Sequence, residues 1–176
     1  MDASDAALVA AVGNGRREAY EELIRRYAGA IAAACRSKLG PRGPVDDMVQ
    51  ETFLRGYRAI ATLDEPDRVG SWLYGIAVRT CLDWLKDKER TEVSFDAVGE
   101  RPARAEPDDC DREARMLAEV HALPEIYREA ILLFYYQKQS YQEMARMMGV
   151  SAAAVNARLT KARATLRERL ARAVGR

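Results

Sequence analysis

The stretch SYQEMARMMGVSAAAVNARLTKARATLRERL, residues 140–170, decides how this chain folds. Ser140 and Glu143 stand at the spacing at which an N-cap hydroxyl and a carboxylate three residues on satisfy each other's backbone amides. A helix is therefore predicted to start at Tyr141. Gly149 ends it after about two turns, because glycine most readily takes the left-handed helix stop. Ser151 is a good N-cap for a second helix reaching at least Leu170. A short helix, a glycine-containing turn and a long helix make a helix-turn-helix. The long helix places Val155, Leu159 and Leu166 toward a core, which leaves Asn156, Arg158, Lys161 and Arg163 for other faces.

The chemistry of that second helix suits duplex DNA. Asn and Arg donors near its start match base edges in the major groove, and the excess of Lys and Arg matches phosphates. Small residues at Ala152, Ala153 and Ala154 let the helix start approach the duplex closely. The candidate DNA contacts are Ser151, Ala152, Ala153, Asn156, Ala157, Arg158, Lys161 and Arg163. A solvated basic helix that merely closes a bundle is the plain alternative. The capped short helix and glycine turn in front of it favour DNA.

The charge distribution agrees. Residues 124–176 carry 10 basic and 4 acidic side chains, a net +6, although the whole chain is only +1. Residues 92–123 carry 4 basic and 9 acidic groups, and residues 1–91 balance at 14 of each. A neutral body, an acidic tether and a basic C-terminal unit point to an anionic partner for the last.

Working back toward the N-terminus, the pattern stays helical. Hydrophobic residues make up 48% and aromatics only 7%, so cores rely on aliphatic side chains; strong helix formers dominate, with no alternating runs of β-branched residues. Tyr20, Leu23, Ile24, Tyr27, Ile31 and Cys35 form one stripe over residues 16–39, behind a short helix stopped at Gly13–Gly15. GPRGP at 40–44 breaks the chain. A second long helix runs over 45–62 with Val49, Phe53, Tyr57 and Ile60 on one face, and Asp46 and Asp47 in its first turn suit the helix dipole. Residues 63–71 read as a loop with Pro66 opening a turn. A third long helix carries Val69, Trp72, Leu73, Ile76, Thr80 and Trp84, and both tryptophans are assigned to the core. Residues 92–112 gather Pro, Gly and acids and read as a mobile linker. Helical pattern resumes by Glu113, and Pro124 suits the first position of a further helix containing Ile126, Ala130, Ile131, Leu133 and Phe134. The expected fold is all-α, with helical domains at 1–91 and 113–176.

Several classes fall away. No apolar run approaches the ~20 residues that cross a bilayer, and MDASDAALVAAVGNGRR lacks the basic start of a signal peptide. A cytoplasmic protein without membrane insertion is expected. The three cysteines are far apart, without a CxxC pair, and His121 is the sole histidine. Idle thiols are expected rather than disulfides or zinc. No cluster of His, Cys or carboxylates, no phosphate-cradling glycine loop and no nucleophile–base pair is visible. No catalytic residue, metal or cofactor is expected.

LPEIYREAILLFYYQKQSYQEMARMMGVSAAAVNARLTKARATLRERL resembles region four of the extracytoplasmic-function sigma factors of the sigma-70 family. DDMVQETFLRGYRAIATL followed by SWLYGIAVRTCLDWLKDKER resembles their region two. The likeness covers roughly residues 5–90 and 113–172, in the family's order. It implies that Asp46, Asp47, Gln50, Glu51 and Arg55 dock on the clamp helices of core RNA polymerase. It also implies that the loop from Leu63 to Ser71 and the following helix capture the single-stranded −10 element, with Arg68, Ser71 and Arg79 as contacts, while the helix-turn-helix reads the −35 duplex. A cognate anti-sigma factor is the further partner implied. Two departures stand out. IAVRT, with Arg79, replaces an IAVNT-like run, and SAAAVNARL replaces a PVGTVKSRL-like start, so the family's −10 and −35 preferences do not transfer. A stand-alone helix-turn-helix regulator that needs no polymerase is the alternative; it predicts symmetric binding to a palindrome.

Overall fold

Buried apolar steps at Tyr20, Leu23, Tyr27, Ile31 and Cys35 make α2 (Arg17–Leu39) the axis around which the N-terminal helices gather. The computed structural model describes residues 3–40, 42–92, 116–137 and 140–174, and every regular element among them is helical. Before α2 comes α1 (Asp5–Gly13), capped by Ser4, whose hydroxyl accepts from the Ala7 amide at 3.2 Å. Then follow α3 (Val45–Ala59), 3-10 turns at Ile60–Thr62 and Pro66–Arg68, and α4 (Val69–Glu92). After residues outside the description come helical residues 116–121 (α5), α6 (Glu125–Gln137), α7 (Tyr141–Met148) and α8 (Ala152–Val174). The expected linker at 92–112 falls almost wholly outside the described residues, as does Cys110.

Leu23, Ile31, Val69 and Leu73 are fully buried where α2, α3 and α4 meet. Tyr20 adds a directed contact: its hydroxyl donates to the Phe53 carbonyl at 2.6 Å, tying α2 to α3. The helices approach closely at Gly70, where an added Cβ would meet the Tyr27 ring at 2.5 Å. In the C-terminal unit, Leu133, Met144, Val155, Leu159 and Ala162 are buried between α6, α7 and α8. The two units also touch. α6 lies along α2, and α7 packs against α4.

The core departs from the sequence expectation in four places. Tyr57 is 43% exposed, because Thr52 and Gly56 fill the buried face of α3. The Thr52 hydroxyl satisfies itself by donating to the Met48 carbonyl at 2.6 Å. On α4 the buried stripe runs Val69–Leu73–Ala77–Cys81, flanked by Tyr74 and Thr80. Trp72 packs half-buried against the core, but Trp84 lies outside it, with the Lys88 ammonium 5.5 Å from its ring centroid. On α8, Ala162 takes the buried position and Leu166 is only half-buried. Pro124 stands just before α6, its carbonyl accepting from the Tyr127 and Arg128 amides at 3.0 Å. Among the described residues, no helix is long and apolar enough to cross a membrane.

Candidate functional site

The helix-turn-helix forms for the local reasons its sequence supplies. Ser140 and Glu143 make the reciprocal capping box, and their hydrogen bonds hold the Glu143 carboxyl below its ordinary pKa. Gly149 closes α7 at φ 65°, and its amide donates to the Ala145 carbonyl. The Ser151 hydroxyl then accepts from the Ala154 amide at 3.1 Å and opens α8. Gly149 is the hinge. Its left-handed conformation ends α7 and lets the chain turn into α8, which packs against α7.

Ser151 and seven α8 residues are the candidates for DNA, and the structure sorts them. Ser151, Ala153, Asn156, Ala157 and Lys161 are exposed, and Ala152 is half-buried. Thr160 joins the exposed set although the sequence reading passed over it; its small polar side chain carried no signal beyond its spacing. Arg158 and Arg163 are half-buried instead of free. Arg163 lies 4.8 Å over the Phe134 ring and is hydrogen-bonded by Tyr141 and Tyr135, so it braces α8 on α6. Arg158 sits close enough to Tyr74 on α4 for its charge to favour the ionised phenol, although burial raises the Tyr74 pKa overall. Both arginines point back into the fold, because a helix packed on two neighbours has only one free face.

The α3 candidates share the polar face. Asp46, Asp47 and Gln50 are exposed, while Glu51 and Arg55 are partly covered. Arg55 bridges two helices: its Nε donates to Glu51 at 2.7 Å and its Nη1 to Asp83 at 3.0 Å. Both carboxylates raise the guanidinium pKa, Glu51 most. Leu54, 45% exposed, lies among these polar groups. The sequence did hold that signal, an apolar residue out of phase with the core stripe.

Arg68, Ser71 and Arg79 fall on the second 3-10 turn and α4. Arg68 is exposed and donates to Glu65 at 3.2 Å; Arg79 is exposed. Ser71 lines an open hollow of about 370 Å³ with Thr62, Leu63, Asp64, Glu65, Arg68 and Trp72. Apolar walls from Leu63 and Trp72 beside carboxylate and guanidinium groups offer both stacking surface and hydrogen-bond partners to a planar polar ring. No group of three or more metal-ligating side chains exists among the described residues.

The comparisons bear on the same two regions. The family model for sigma-70 region 2 matches residues 23–91, and that for sigma-70 region 4 matches residues 114–166. The RNA polymerase sigma factor NccH of Alcaligenes xylosoxydans xylosoxydans is 32% identical over 177 residues, with 92% of each chain covered. The ECF RNA polymerase sigma-E factor of Escherichia coli K12 is 32% identical over 174 residues, with 91% of each covered. Among solved structures, CnrH in complex with the cytosolic domain of CnrY superposes with a TM-score of 0.66 at 30% identity, covering 94% of this chain and 96% of that one. The capped helix-turn-helix, the helical N-terminal unit before it and these full-length likenesses converge: the chain belongs to the sigma-70 family, among its extracytoplasmic-function sigma factors.

Proposed function

We propose that this sigma factor binds core RNA polymerase through the polar face of α3, opens the −10 element with its N-terminal unit and reads the −35 duplex with α8. The observation that carries the reading is the free face of α8. Ser151, Ala153, Asn156, Ala157, Thr160 and Lys161 stand exposed beyond a capped α7 and a left-handed Gly149. Small residues there admit close approach to the major groove, and Asn156 and Lys161 supply donors for base edges and phosphates. Asp46, Asp47, Gln50, Glu51, Leu54 and Arg55 form the polymerase-docking face.

Opening of the −10 element needs binding alone. An unstacked base seated in the hollow between Leu63, Arg68 and Trp72, with its strand held by Arg68, Ser71 and Arg79, shifts the duplex equilibrium toward the open form. The protein acts in the cytoplasm, without catalysis or cofactor, and a cognate anti-sigma factor is its further partner; the similar protein CnrH is seen in complex with the cytosolic domain of CnrY. In vitro transcription with purified core polymerase and a genomic promoter library tests the reading: defined start sites should appear only when this chain is added. A library that yields no starts above core alone removes it. Polymerase-independent binding to a palindrome would instead identify a stand-alone regulator.

A further inference from the structure

Asp5 opens α1, yet its carboxylate is engaged by donors from α2. Arg26 donates to it through Nη1 at 2.6 Å and reaches the Ala3 carbonyl through Nη2 at 3.0 Å. The Tyr27 hydroxyl donates to the other carboxylate oxygen. Burial first, then this hydrogen bond to Asp5, raises the Tyr27 pKa above its ordinary value, so the phenol stays a donor at neutral pH. The ring behind that hydroxyl lies on the main chain of the first turn of α4: a Cβ added at Gly70 would meet it at 2.5 Å. Gly70 stands directly before Ser71 and two residues after Arg68. Asp5, Arg26 and Tyr27 line the same cleft as Arg68, Gly70 and Ser71. α1 itself buries Leu8, Val9 and Val12 and packs against both 3-10 turns.

We infer that Asp5 and Tyr27 are positioning residues for −10 opening: the carboxylate fixes the phenol, the phenol ring seats Gly70, and Gly70 carries Arg68 and Ser71 on either side. The inference rests on the proposed reading of Arg68, Ser71 and their neighbours as the −10 surface. An acid in the first turn of a helix ordinarily serves the dipole, and an exposed carboxylate does that equally well. Asp5 differs in two respects. Its side chain is only 20% exposed, and both of its oxygens accept from one neighbouring helix. Charge-assisted bonds so far withdrawn from water hold their geometry better than pairs on an open rim. Gly70 then makes the contact direct. With no side chain there to rotate aside, a displaced ring moves the backbone that presents Arg68 and Ser71. Capture of an unstacked base is strongest when the groups that receive it are already in place, because reorganising them on arrival consumes binding free energy. Asp5 and Tyr27 touch no DNA in this scheme; they act through the start of α4.

Holoenzyme assembled from the full-length chain tests this on a promoter recovered from the transcription library. Permanganate reactivity of the −10 thymines reads the rate of opening, and binding of a −35 duplex by the same holoenzyme is measured in parallel. Asp5→Ala and Tyr27→Phe should each slow opening about tenfold, the lower end of what a hydrogen bond to a charged group contributes. The double variant should be no slower than either single one, because both changes remove the same contact. Asp5→Asn, which keeps an acceptor for the phenol, should recover most of the rate. Affinity for the −35 duplex should stay within about twofold of the parent, a separation that a general weakening of the fold would not give. Folded Asp5→Ala and Tyr27→Phe chains that open the promoter at the parent rate overturn the inference. A fall in −35 binding that parallels the fall in opening overturns it too, as do additive losses in the double variant or an asparagine variant as slow as alanine. Arg68→Ala separates the inference from the reading beneath it. If Arg68→Ala opens the promoter as the parent does, the −10 surface lies elsewhere and the inference falls with it. If Arg68→Ala is slow and Asp5→Ala is not, only the positioning role fails.

Discussion

Replacing Gly149 isolates the backbone geometry on which −35 reading depends. At φ 65° this residue lies where an L side chain clashes with its own carbonyl, yet an added Cβ would meet nothing within 4 Å. Gly149→Ala therefore carries a purely conformational cost of about 1–2 kcal/mol. Gly149→Asn should recover part of it, because asparagine visits this region more readily. The loss reads as a fall in melting temperature of about 4–8 °C per kcal/mol if the C-terminal unit unfolds alone, and about 2–4 °C if the whole chain unfolds together. Circular dichroism melts of the three proteins, with −35 duplex binding by polymerase holoenzyme, give the answer. Binding should fall further than stability does, since relaxing φ tilts α8 against α7 and moves Asn156 and Lys161 off the groove. An alanine variant as stable as the parent, or an asparagine variant no better than alanine, would refute the argument that Gly149 holds the turn.

Two further outcomes follow from exposed and buried charge. Lys161→Ala should weaken −35 binding across all duplex sequences and reduce the slope of log affinity against log salt by about 0.9, the share of one phosphate; an unchanged slope places Lys161 off the DNA. Acidification should destabilise the fold through His121. Both of its ring nitrogens are buried without a hydrogen-bond partner among the described residues. Burial first, then Arg128 on α6 and Arg36 on α2, holds its pKa below 6.5. A base with a depressed pKa contributes fully above its unfolded value, so its share of stability declines as the pH falls from about 6.5 through the lowered value. Glu125, whose carboxyl is held below 4.5 chiefly by its hydrogen bond to Lys38, adds a second loss at more acidic pH. Urea melts from pH 7.5 to 5 should show a decline that His121→Asn flattens, and parallel declines would exclude His121 as the cause.

How much of this could be read from the sequence depended on whether the cause was local. Ser140, Glu143, Gly149 and Ser151 act on backbone amides within a few residues, so the capping box, the left-handed stop and the start of α8 are where the sequence puts them. Positions decided by packing across elements were read less well. Tyr57 carries the right spacing for the core, yet Thr52 and Gly56 let α3 approach α2 and α4 more closely, and the phenol is left outside. Arg158 and Arg163 look free on a helical wheel, which shows neither Phe134 nor Tyr74. Least legible was the junction between the units. Lys38 and Glu125 are 87 residues apart, and no periodicity or motif in one chain pairs two charges at that separation.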